Sequence, residues 1–100
     1  MPVSNNVSSD GKSVTITVSG RFDFNDHSAF REAYRTTDSA ATFTLDMSNT
    51  DYMDSSALGM LLLLREHAGG DNSKIKIAGS KAEIKKILTI ANFQKLFEIK

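Results

Sequence analysis

Asp54-Ser55-Ser56 sets two hydroxyls directly behind a carboxylate, and the almost wholly apolar run Ala57–Leu64 follows at once. Serines at the start of a helix have two chemical uses. Asp and Ser are both favoured N-cap residues, so any of the three side chains could satisfy the helix's first free N–H groups. A hydroxyl held out at that position is equally a phosphate acceptor, because a helix N-terminus favours the added negative charge. Nucleophilic catalysis is a poorer use. Ser55 would need His27 or His67 as a base, yet no G-x-S-x-G elbow surrounds it and both histidines stand alone in the sequence as surface residues. Two histidines, scattered carboxylates and no cysteine make no metal-ligand set, and nothing points to a cofactor. The expectation is a non-enzymatic module.

The elements that must position these residues are legible from periodicity. Met1–Val7 reads as a short edge strand and Asp10-Gly11 as a hairpin turn. Ser13–Ser19 alternates Val14, Ile16 and Val18 with Ser13, Thr15 and Thr17, which predicts a half-buried strand ended by Gly20. Arg21–Phe24 forms a connection. Asn25 or Asp26 caps a helix over His27–Tyr34, with Phe30, Ala33 and Tyr34 on its apolar face. A polar loop over Thr36–Ala40 leads to a second strand, Ala41–Met47, and Ser48–Asp54 is the turn that presents the serines. The central helix runs from Ser55 to about Ala68 and stops at Gly69-Gly70. Ser73–Gly79 is a third strand, and Ser80 with Glu83 predicts a capping box on a last helix carrying Ile84, Ile87, Leu88 and Ala91. Leu96, Phe97 and Ile99 return to the core as a short turn and strand.

This order predicts a single α/β domain over residues 1–100. Its sheet is mixed, of four to five strands, with the helices packed on one face. Within the central helix, Ala57, Leu61, Leu64 and Ala68 repeat at core spacing, and Leu58 and Leu62 widen the stripe. The row Ser56, Gly59, Met60, Leu63, Glu66 and His67 lies opposite. Met60 and Leu63 are then a small docking patch one turn from the serines, beside the charge of Asp51 and Asp54; the alternative is a helix buried on most sides.

Composition narrows the partners. One hundred residues bury one core, and twelve basic against twelve acidic side chains give no net charge. Nucleic acid and anionic lipid are therefore poor candidates as main partners. The absence of cysteine fits a reducing compartment, Met1–Gly11 carries no secretion signal, and the apolar run Met60–Leu64 falls far short of the roughly 20 residues a bilayer requires. A cytoplasmic protein without membrane insertion, monomeric or weakly dimeric, is expected.

The segment Leu45–Leu64 resembles the STAS family, the anti-sigma-factor antagonists of bacteria. Its members carry an apolar strand ending in D-x-S, then [FY]-[ML]-D-[ST]-[ST]-[GA]-L-G and an apolar helix; here these are Asp46-Met47-Ser48 and Tyr52-Met53-Asp54-Ser55-Ser56-Ala57-Leu58-Gly59. Gly20-Arg21-Phe22-Asp23 is similar to the family's G-x-[LF]-D, and the Ile75–Gly79 and Ile87–Phe97 segments also match. Ala57 stands where glycine is commoner, and many members continue beyond the position of Lys100 into another helix. The resemblance implies that Ser55, with Ser56 as second candidate, is phosphorylated by an anti-sigma factor that is itself a serine kinase. It implies a matching phosphatase as the second partner, and places Asp23 and Asp54 beside the phosphorylated serine. An adaptor subunit of a transporter or stress-signalling complex is the alternative. An acyl-carrier protein, which also presents a serine after an aspartate, is opposed by the three predicted strands.

Overall fold

The computed structural model describes residues 3–100; of the predicted first strand, Met1 and Pro2 lie outside the described residues. Five strands form one sheet in the order β1-β2-β3-β4-β5. Strand β1 (Val3–Val7) runs antiparallel to β2 (Ser13–Phe22), while β3 (Thr42–Met53), β4 (Ile75–Ala78) and β5 (Glu98–Ile99) continue in parallel. Helices α1 (His27–Tyr34), α2 (Ser55–His67) and α3 (Ala82–Ile90) make the three crossovers. Each crossover steps to the next strand in the same direction, so connections of one hand bring all three helices to one face. The strands agree. Val14, Ile16, Val18, Phe43, Leu45, Met47, Ile75 and Ile77 are buried on the helix side, and Thr15, Thr17, Thr44 and Lys76 stay partly open on the other.

The first hairpin closes as Asp10 predicts. Its Oδ1 accepts the Ser8 hydroxyl at 2.6 Å and the Lys12 N–H at 3.0 Å, which holds the carboxyl below the usual carboxylate range. Gly69, at φ 107°, ends α2 where a left-handed residue was expected.

Strand β4 is shorter than the expected Ser73–Gly79, and two strand ends and one cap differ more consequentially from the sequence reading. Strand β2 runs through Gly20 to Phe22, because the ladder takes register shifts between Thr17 and Ser19 and between Gly20 and Arg21 instead of stopping. Strand β3 likewise continues to Met53 through the segment read as a turn. The polar residues there resemble a turn, but they pair with the extended β2, with Asn49 opposite Ser19 and Met53 opposite Phe22. Thr50, fully buried, donates its hydroxyl to the Val18 carbonyl at 2.8 Å inside the irregular stretch. The predicted capping box at Ser80 is absent as well. Lys81 takes the N-cap position without a side-chain bond, and the Ser80 hydroxyl is buried without a protein partner among the described residues.

The last turn buries Phe93 and Phe97, stacked at 5.3 Å, but leaves Leu96 exposed. Gly79 sits where the β4–α3 connection crosses β3. At φ 75° a Cβ there would lie 2.9 Å from the Ser48 Cβ, so only glycine fits.

Candidate functional site

The two long strands end side by side and their ends build the site. Phe22 faces Met53 in the ladder, and the Asp54 N–H reaches the Phe22 carbonyl at 3.4 Å. That contact puts Asp23 and Asp54 at adjacent strand ends, the one leading into α1 and the other into α2.

Asp54, with extended backbone, is the N-cap of α2. Its Oδ1 accepts the Ala57 N–H at 3.0 Å and the Ser56 hydroxyl at 2.6 Å. Of the three side chains that could cap this helix, the aspartate does so. Its carboxyl is held below the ordinary carboxylate range, chiefly by the Ser56 hydroxyl and then by the Ala57 N–H. The serines occupy the first two helical positions and differ in exposure. Ser56 is half-buried with its hydroxyl committed to Asp54, whereas Ser55 is exposed and its hydroxyl has no protein partner among the described residues. The site therefore presents one accessible hydroxyl on a helix start that is capped by another residue.

Asp23 is used locally. Its Oδ1 accepts the Asn25 N–H at 3.0 Å and starts the short 3-10 turn Phe24–Asp26, while Asp26 turns its buried carboxylate back to the Asp23 N–H at 3.3 Å. Neither Asn25 nor Asp26 makes the predicted side-chain cap on α1, because the intervening turn takes over that role. The Arg21 Nε lies 3.6 Å from Asp23. Asp51 is exposed and ion-paired with Lys81 at the start of α3, so its charge is partly offset by a residue that the sequence reading did not connect to it.

The expected patch on α2 is half right about exposure. Leu63 is 52% exposed, but Met60 is 3% exposed and belongs to the core. The reason is helical geometry. Met60 lies three residues after Ala57 and four before Leu64, so it falls between two core residues and not on the opposite row. Leu62, assigned to the core stripe, is exposed instead.

Two exposed aromatic residues were missed. Phe24 is 69% exposed and stacks on His27 with ring centroids 5.6 Å apart; Tyr52 lies under the Arg21 guanidinium at 4.3 Å. Both stand within two residues of the aspartates at the paired strand ends. The available signal was an aromatic side chain inside each otherwise polar connection. His67 closes α2 at the end opposite Ser55, about 18 Å away along a 13-residue helix. There its Nε2 meets the Thr37 carbonyl at 3.2 Å and the Thr37 hydroxyl at 3.3 Å. His67 is thus not a base for Ser55. Among the described residues no three His, Asp or Glu side chains gather as a metal site, and no helix is long and apolar enough to cross a membrane.

The family profile described as "Mlab, STAS domain" matches residues 5–98. A STAS-domain containing protein of Pseudomonas aeruginosa is 52% identical over 93 residues, covering 92% of this chain and 92% of its own. Among solved structures, the anti-sigma factor antagonist SpoIIAA in its unphosphorylated form superposes with a TM-score of 0.71 at 16% identity, over 98% of this chain and 86% of its own. A sulfate transporter family protein from Wolinella succinogenes superposes with a TM-score of 0.72 at 14% identity, over 93% and 80%. At such identities the likeness is one of fold.

Proposed function

This chain belongs to the STAS family, and on that premise we propose that it is a protein-binding module switched by phosphorylation of Ser55. Unphosphorylated, it binds an anti-sigma factor that is also a serine kinase and so frees the regulator which that kinase holds. A matching phosphatase resets it. The observation that carries this reading is the exposed, uncommitted Ser55 hydroxyl at the start of a helix already capped by Asp54.

The physical argument runs through charge. Phosphorylation adds about −1.5 to −2 charges, which the helix N-terminus favours, so the domain keeps its fold. Asp54 and Asp23 already place negative charge at these strand ends. A partner surface fitted to a neutral hydroxyl then meets concentrated negative charge and loses affinity through repulsion and desolvation. Ser56 is the weaker acceptor, because modifying it would break its bond to Asp54 and set a dianion against that carboxylate. Leu63 and the exposed Phe24 and Tyr52 supply apolar area for the docking surface, whereas buried Met60 does not.

Phosphopeptide mapping after incubation with the cognate kinase tests the site: phosphate on Ser55 is expected, and modification of neither serine defeats the switch. The fold shared with a sulfate transporter family protein supports a second reading, an adaptor on a transporter. Recovery of bound protein with the unphosphorylated chain separates the two, since the first reading requires a kinase and the second a transporter subunit.

A further inference from the structure

Strand β1 forms one edge of the sheet, and half of its backbone hydrogen-bonding groups face away from β2. Which half follows from the hairpin. Ser8 lies opposite Ser13 and its N–H reaches the Ser13 carbonyl at 2.8 Å, so by antiparallel alternation Asn6 and Ser4 also bond toward β2. The N–H and C=O groups of Val3, Asn5 and Val7 therefore point outward. The strand, V-S-N-N-V, is short and partly covered by α1, but it carries no charge, no proline and no bulge, and its five-pair register is unbroken.

Helix α1 covers only half of this strand. The Asn5 side chain donates to the Ala33 carbonyl at 2.8 Å in the helix's last turn, and a groove of about 430 Å³ runs from there past Ala29 and Ser28 toward Val3. Val3 is accordingly 5% exposed. Val7, on the same side of the strand but beyond the end of the helix, is 42% exposed.

We propose that β1 is a homodimerisation edge, two copies pairing antiparallel about a two-fold axis at Asn5 to make one continuous sheet. The strand is self-complementary about that axis. Val3 of one copy faces Val7 of the other, Ser4 faces Asn6, and Asn5 faces itself. The outward groups of Val3, Asn5 and Val7 then form about six intermolecular hydrogen bonds. The same rotation carries the second copy's α1, with Ser28 and Ala29 at its start, toward the bare Val7 of the first. The strand itself carries no charge, and Glu32, the one charged residue lining the groove, is ion-paired with Arg35 of its own helix, which limits self-repulsion along this edge. The pairing is independent of the Ser55 reading: α2 follows β3, two strands in from this edge, and the dimer presents two switch sites at opposite ends of the joined sheet.

The test uses sedimentation velocity on the full chain from about 10 µM to about 1 mM, the range in which a small interface dissociates. The wild-type chain is expected to pass from monomer to dimer. Ser4→Lys with Asn6→Lys sets like charges opposite each other twice across the two-fold and is expected to raise the dissociation constant about tenfold or more. Both positions are exposed and face only Thr17 and Thr15 within the monomer, so its fold is spared. Ser4→Lys with Asn6→Glu sets opposite charges across the same pairs and is expected to restore the dimer. A wild-type chain that stays monomeric throughout overturns the proposal, and so does a dimer that the two lysines leave unchanged.

Discussion

Replacing Thr50 by valine removes one oxygen from the fully buried part of β3 and changes almost nothing in shape. That oxygen bonds the Val18 carbonyl at 2.8 Å, where the β2–β3 ladder shifts register and backbone partners are lost. With the hydroxyl gone, the carbonyl stays buried without its donor, a loss of about 1–3 kcal/mol. The methyl group that replaces the hydroxyl recovers up to about 0.8 kcal/mol by its own burial. A net destabilisation of about 1 kcal/mol is expected, which for a domain of this size lowers the melting temperature by about 4–8 °C. Urea denaturation followed by circular dichroism measures it, with an unchanged m-value showing that the unfolding transition itself is the same. If Thr50→Val is as stable as the parent chain, the hydroxyl is not what holds the extension together, and the placement of Asp54 and Ser55 must be explained by the ladder alone.

Three further outcomes follow from the site. Met60→Lys buries a charge in the core and should cost about 3 kcal/mol or more, whereas Leu63→Lys should stay within about 0.5 kcal/mol; equal effects in denaturant would contradict the burial pattern. Because Asp54 and not Ser55 caps α2, both Ser55→Ala and Ser55→Asp should melt within about 0.5 kcal/mol of the parent, while only the aspartate variant loses the kinase partner in a titration. The Asp54 carboxyl has a folded-state value below its ordinary 3.8, so its stabilising contribution is complete above that value and is lost as the pH falls through the lower, folded one. The stability gap between the parent and Asp54→Asn should therefore be constant near neutrality and close only on strong acidification. A gap that closes near pH 6 would assign the effect to another group.

Alternation of apolar with polar residues carried most of the fold. Val14, Ile16 and Val18, or Phe43, Leu45 and Met47, can be read only one way. The reading lost its hold where polarity stood in for geometry. Ser48, Asn49 and Asp51 look like a turn because their side chains prefer water, yet strand pairing is a property of the backbone, and an exposed strand extension satisfies both. On α2 the difficulty was the reverse: with leucines at four successive positions, composition no longer marks a face, and Met60 and Leu62 were each placed on the wrong side. Asp54-Ser55-Ser56 marked the start of α2 but could not say which residue would cap it. That depends on the extended backbone at Asp54, which local sequence favours equally at its neighbours. The Lys81–Asp51 pair spans thirty positions, and nothing local encodes it.

The polar end of β3 has a further consequence for how the molecule breathes. Between Phe43 and Asp46 the strand is flanked by β2 on one side and β4 on the other, but from Asn49 to Met53 only β2 remains beside it. A two-stranded overhang opens at lower free energy than the interior of the sheet, because fewer backbone bonds must break together. Amide hydrogens at Asn49–Met53 should exchange with solvent well before those at Phe43–Leu45, without global unfolding. Such exchange would make the platform that carries Ser55 a separately yielding unit, able to adjust to a docking partner while the sheet behind it stays closed.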